Sequence, residues 1–196
     1  MRWADSQTVI GIDEVGRGAW AGPLLAVAVA APSNGLPNAI TDSKQLTPGK
    51  RARLHTQILH CPVVIGAGWV HAAEIDAKGL TVATQRAMRA ALVAVDTDNA
   101  TIYVDGHIDF IANGRSQTVL SGDSRVPHIG AASIVAKQLR DRYMQRMSRQ
   151  FPEYGFSRHV GYGSSEHRRM LDAHGVTWMH RKCFRPVAQY VAAGAH

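Results

Sequence analysis

Cysteine is nearly missing from this 196-residue chain, and the two present, Cys61 and Cys183, lie far apart with no metal-type spacing. That excludes a disulfide framework and leaves two reduced thiols of an intracellular protein. Histidine is not scarce, but the ten are scattered with no His-x-x-x-His pair, which excludes a His-bound zinc site. Long hydrophobic runs are also missing. The longest, Ala19 to Pro32, contains Gly22 and Pro23 and is shorter than the roughly 20 residues a membrane span needs. The first residues, MRWADSQTVIGIDE, place Asp5 and Asp13 where a signal peptide has its apolar core. The expectation is a cytoplasmic monomer with no membrane partner, a single domain over residues 1–196. There is no internal repeat, linker or low-complexity segment.

Acids are in short supply. Fifteen Asp and Glu face 22 Lys and Arg, a net charge of +7. Residues 1–100 carry nine basic and eight acidic residues, whereas residues 101–196 carry thirteen and seven. A basic surplus concentrated in one half suits a polyanionic partner.

Four of the few acids stand in glycine-rich surroundings. Asp13 and Glu14 interrupt TVIGIDEVGRGAWAG, Asp105 ends TIYVDG, and Asp123 lies in SGDSRVPHIGAAS. Each follows a short β-prone stretch, so each is expected at or near a strand end. If these segments are neighbours, the carboxylates repel one another unless a divalent cation neutralises them. An all-oxygen site suits Mg²⁺ or Mn²⁺, and such sites serve phosphodiester chemistry. A Rossmann loop is excluded, because GIDEVGRGAWAG lacks the G-x-G-x-x-G spacing and its acids would repel pyrophosphate.

The periodicity predicts strands over 8–13, 24–31, 63–70, 101–104 and 118–120. Along 24–31 alanines mark one face and branched residues the other. Helices are expected from Pro48 to about Cys61, over 72–77 and 80–95 on either side of Gly79, over 127–150 and over 165–174, with a last one from Pro186. Strands first and helices later indicate an α/β or α+β domain with a mixed sheet. In the long helix Ala132, Val135, Leu139, Tyr143 and Met147 form the apolar stripe. Arg140, Arg142, Arg146 and Arg149 read as a solvated charged face. Lys137, between small residues, is the exception.

Other residues suit a polyanion. Arg17 between Gly16 and Gly18 offers a fork-shaped donor where backbone can approach a ligand. Ser43 and Lys44, in a loop before a helix, can donate to phosphate. Tyr162 between two glycines is hard to bury and suits ring stacking on a nucleotide. Tyr154 and Phe156 are at least as well suited to a core.

Taken in order, GIDEVGRGAWAGP, DSKQLT, YVDG, GDSRVPHIGAASIVAK, YGFSRHVGYGSSEH and HRKCFRPV resemble ribonuclease HII over residues 9–187. The resemblance implies a ribonuclease H-like fold, with a mixed central β-sheet flanked by helices and a helical C-terminal part from about residue 154. It implies cleavage of the RNA strand of RNA–DNA hybrids. It also implies incision 5′ of single ribonucleotides in duplex DNA, leaving 3′-hydroxyl and 5′-phosphate ends. By that resemblance Asp13, Glu14, Asp105 and Asp123 hold two Mg²⁺ or Mn²⁺ ions, and Gly16, Arg17 and Gly18 read the ribose 2′-hydroxyl. Tyr162 stacks on the next deoxyribose, and Ser43, Lys44 and Lys137 lie near backbone phosphates. Ala19-Trp20, Val160 and Cys183 depart from the family pattern, and Val160 replaces a lysine expected at a phosphate. Two alternatives stay open. A ribonuclease HIII-like enzyme is disfavoured because it carries an extra N-terminal domain and the first acidic motif here begins near the start. A non-catalytic nucleic-acid-binding module explains the charge but not the four acids.

Overall fold

The computed structural model describes residues 7–40, 46–96 and 98–193. Five strands form one mixed sheet: β1 (Thr8–Val15), β2 (Leu24–Pro32), β3 (Val64–Val70), β4 (Thr101–Asp105) and β5 (Ser116–Val119). Their spatial order is β3-β2-β1-β4-β5. The β1–β2 and β2–β3 pairs are antiparallel, whereas β1–β4 and β4–β5 are parallel. Parallel strands need crossovers: the chain returns to β4 through the helix Ala72–Val93, whereas β4 reaches β5 through the helix-free segment 106–115.

Helices α1 (Pro48–Leu59) and α2 (Ala72–Val93) precede β4. Helices α3 (Gly122–Arg125), α4 (Pro127–Gln150), α5 (Phe156–His159), α6 (Ser165–His174) and α7 (Arg185–Ala193) follow β5. Thr47 caps α1 through the Lys50 amide at 3.3 Å, with Pro48 in the first turn. At Gly79 the backbone takes φ 78°, ψ 160°, so α2 is two helical pieces, as that glycine suggests. Among the described residues no helix is long and apolar enough to cross a membrane.

Strand β2 is buried on both faces. Ala26, Ala28 and Ala30 join the core beneath α2, and Leu25, Val27 and Val29 join the core beneath α4 and α1. The small face is an adaptation to close packing. A Cβ on Gly66 or Gly68 of β3 would strike the carbonyls of Ala91 or Ala87 of α2. A third core, built from Tyr154, Phe156, Leu171 and Met179, packs on Ala21 and on Met144 of α4. Tyr154 and Phe156 are therefore core rings, stacked with centroids 5.4 Å apart.

Candidate active site

Strands β1 and β4 run side by side, with Val9 to Ile12 opposite Thr101 to Val104. Asp13 and Asp105 are the next residues of each strand, so they stand together where two parallel strands end. This is the edge at which open α/β sheets form their binding crevices. Asp13 is buried, and its Oδ1 accepts the Glu14 amide at 2.7 Å. Ser133 of α4 also bonds its carboxylate. Asp105 Oδ1 accepts the amide of Gly122 at 2.7 Å, which docks the start of α3 on β4. Asp123 follows in that helix, itself buried. It thus stands in a short helical turn after β5 rather than at a strand end. Glycine there is a packing need, because a Cβ on Gly122 would meet Ile129 and Asp105.

The Asp105–Gly122 bond brings the Asp123 segment to β4, and charge shows that the Asp13–Glu14 and Asp105 segments meet. Burial pushes the Asp13 carboxyl well above its ordinary range, and the nearby charges of Glu14 and then Asp105 push it further. Glu14, Arg17, Asp105 and Phe110 share a cavity of about 40 Å³. Among the described residues no group of three or more His, Cys, Asp and Glu side chains is arranged to hold a metal ion. Crowded carboxylate oxygens with an incomplete shell still suit a hard cation that keeps water and takes phosphate oxygens as further ligands.

Residues 16–23 form the loop above these acids. Gly16 adopts φ 83° against the Arg140 side chain, where a Cβ would collide. Gly18 has open space around it. The Arg17 guanidinium lies 5.5 Å from the Phe110 ring centroid. The loop is tied to the C-terminal region by main-chain bonds. The amides of Trp20 and Ala21 donate to Gly161 O at 2.8 and 3.1 Å, and Arg181 N donates to Trp20 O at 2.8 Å. Tyr162, next to Gly161, is 38% exposed, and its ring and Gly16 both lie against the Arg140 side chain.

Two buried arginines lock this joint. Arg140 donates from Nε to Pro23 O at 2.9 Å, from Nη1 to Val160 O at 2.8 Å and from Nη2 to Ala21 O at 3.1 Å. Its guanidinium also lies 5.5 Å from the Tyr162 ring centroid. Arg181 donates to Gly22 O from Nε and Nη2 and to Arg17 O from Nη1. Burial lowers the Arg140 pKa and lowers that of Arg181 to about 9. Arg140 therefore does not belong to a solvated face. Its signal was the four-residue spacing Ala132, Ala136, Arg140, Met144, all buried, in which one arginine stands out. Arg181 carried no such signal.

Lys137 pairs with Asp141 at 2.8 Å rather than with any of the four acids, and Arg51 approaches the same carboxylate at 3.9 Å. Ser43 and Lys44 lie outside the described residues. Of the departures, Trp20 packs where a Cβ on Gly163 would stand, Val160 adopts φ 44°, and Cys183 is a weakly acidic thiol raised to about 11 by burial.

The ribonuclease HII family model matches residues 10–187. The chain belongs to the ribonuclease HII family. It is accordingly a hydrolase, a ribonuclease H, and the family depends on a divalent metal ion. The ribonuclease HII of Geobacillus thermodenitrificans is 43% identical over 186 residues, covering 95% of this chain and 71% of that protein. The ribonuclease H2 structure from Pyrococcus horikoshii OT3 superposes with a TM-score of 0.83 at 24% identity, covering 95% and 98% of the two chains. The structure of Bst-RNase HIII in complex with Mn²⁺ gives 0.71 at 18% identity, covering 97% of this chain and 71% of that one. Both solved structures share the ribonuclease H-like fold.

Beneath the Tyr162 loop of this ribonuclease lie His159, His167 and His180. His159 and His167 stack at 4.6 Å, and the Nε2 atoms of His167 and His180 are 3.0 Å apart. Burial holds all three below the ordinary histidine range, His167 at about 4 and His180 at about 3. In the unfolded chain they titrate near ~6.5. Their contribution to stability is therefore complete above that pH and is lost as pH falls toward 4. His167 and His180 each remove about 1.4 kcal/mol per pH unit across that window. Asp13 works oppositely, because its raised pKa favours the fold below the usual carboxylate range and penalises it as pH rises. Thermal melts are expected to show a steep loss of Tm between pH 6.5 and 4.5. A double variant, His167→Gln with His180→Gln, should have a flatter profile whatever its starting Tm.

Proposed function

We propose that this chain cuts the RNA strand of RNA–DNA hybrids and incises duplex DNA 5′ of a single embedded ribonucleotide, leaving 3′-hydroxyl and 5′-phosphate ends. Asp13, Glu14, Asp105 and Asp123 hold the divalent ions, Mg²⁺ or Mn²⁺. When bound, the ions supply positive charge to activate the attacking water and to stabilise the leaving 3′ oxygen. The protein's own part is placement. Asp13 and Asp105 are set by strand register, and the Asp105–Gly122 bond sets the start of Asp123's helix. The open space at Gly18 lets the backbone approach a sugar edge, where the 2′-hydroxyl is the group that distinguishes RNA from DNA. The half-exposed ring of Tyr162 stacks on the following deoxyribose. Lys137, and Ser43 and Lys44 by resemblance, serve the backbone phosphates. We further propose that it acts in the cytoplasm as a monomer.

The observation that carries the reading is the joint between two loops. Trp20 and Ala21 donate to Gly161, the neighbour of Tyr162, and Arg17 shares a cavity with Glu14 and Asp105, which supports the reading. The same pairing of glycine turn and tyrosine favours the HII type over HIII.

The test is incision of duplex DNA carrying one ribonucleotide, with Mg²⁺ or Mn²⁺. Wild type should cut 5′ of the ribonucleotide, and no cut in either metal would sink the reading. Tyr162→Ala is expected to keep metal binding, read by calorimetry, and to lose single-ribonucleotide incision by about 10-fold or more. That is the scale of one lost stacking contact. Unchanged junction cutting would remove Tyr162 from the site.

A further inference from the structure

The geometry points to His167 as a positioning residue that fixes the Tyr162 carbonyl and so sets the enzyme's discrimination for single ribonucleotides. This rests on the reading of Tyr162 given above. The Thr177 amide donates to His180 Nδ1 at 2.9 Å, so that nitrogen is an acceptor and the His180 proton sits on Nε2. His180 Nε2 faces His167 Nε2 at 3.0 Å, so the latter accepts and the His167 proton sits on Nδ1. That nitrogen lies 3.0 Å from Tyr162 O and therefore donates to it. One main-chain amide thus dictates two tautomers in series and ends on the tyrosine.

His167 is 0% and His180 1% exposed, so no water competes for these bonds. Ser164 N donates to the same carbonyl at 2.9 Å, and Tyr162 N donates to His159 O at 2.9 Å. His159 Nδ1 accepts the Gly161 amide at 3.2 Å, and its Nε2 lies 2.8 Å from Tyr154 O. The peptides on both sides of the Tyr162 α-carbon are thereby held, one by His159 and the other by Ser164 and the buried His167. The Arg140 guanidinium lies against the ring, and the direction of the ring follows the backbone that carries it.

The two amide replacements of His167 separate positioning from bulk. An asparagine amide overlays Nδ1 and keeps the donor to Tyr162 O while losing His180. A glutamine amide overlays Nε2 and keeps His180 while losing the donor. Incision of a single-ribonucleotide duplex is measured relative to an RNA–DNA hybrid in wild type, Tyr162→Ala, H167N and H167Q, with Tm for each. H167Q is expected to lower that ratio about tenfold, the worth of one buried hydrogen bond, and H167N to keep it within about threefold. A wild-type ratio in H167Q, or equal loss in both variants following their Tm, overturns the proposal. If Tyr162→Ala loses the ratio and H167Q does not, His167 alone is wrong. If Tyr162→Ala keeps it, the tyrosine reading fails and takes this one with it. Should neither variant fold, long-range ¹H–¹⁵N spectra of the wild type decide. A proton on His167 Nε2 or on His180 Nδ1 overturns the chain of donors.

Discussion

Asp13→Asn is expected to abolish incision and to make the metal-free protein more stable. Removing one carboxylate from a divalent-ion site costs several kcal/mol of transition-state stabilisation, about a thousandfold or more in rate. Stability moves the other way because Asp13 is a buried anion pressed by Glu14 and Asp105. Asparagine keeps an oxygen to accept the Glu14 amide and the Ser133 hydroxyl, and it offers the neighbouring acids a donor. Relief of about 1–2 kcal/mol corresponds to roughly 2–8 °C in Tm for a chain of this size. The same melts repeated with Mn²⁺ or Mg²⁺ add a second reading. Wild type should gain Tm by mass action, and the variant should gain little. Cutting at near wild-type rate, or a lower metal-free Tm, would contradict the assignment. Sites that carry strain for function often gain stability when the functional group is removed.

Arg140→Leu is expected to be among the most damaging single changes outside the acids. The guanidinium serves the carbonyls of Ala21, Pro23 and Val160, and its loss leaves two buried acceptors and one part-buried acceptor without their donor. The cost is about 3–5 kcal/mol, and a Tm lowered by roughly 10 °C or more. Single-ribonucleotide cutting should fall further than folding alone explains at permissive temperature, since Gly16 and Tyr162 both rest on this side chain. Arg146→Leu on the exposed side of α4 is the matching control, with a change within about 0.5 kcal/mol. Equal Tm for the two variants would refute the locking role.

What the sequence reveals and what it hides follow from the range of the interactions. The end of α1 before Pro62, the break at Gly79 and the limits of α4 are local, written in proline, glycine and a 3.6-residue pattern. The acids were legible because carboxylates are conspicuous among small apolar neighbours. Arg181 was not, because composition assigns arginine to the surface and its acceptors lie 159 and 164 positions away, while Arg140 showed only as one arginine in an apolar four-residue row. The short helices at Gly122 and Phe156 were also missed. Each is a single turn, too brief for periodicity. The convergence of Asp13 with Asp105 depends on strand order, which no local pattern states.

The bonds from Arg181 to Gly22 and Arg17 span 159 and 164 positions of the chain. Closing so long a loop is slow and entropically costly, so these bonds belong late in folding. During synthesis Asp13 and Glu14 are made early, whereas the clamp on the Gly16–Gly22 loop closes only when residue 181 has emerged. A product ending short of Arg181 would carry all four acids with that loop unclamped.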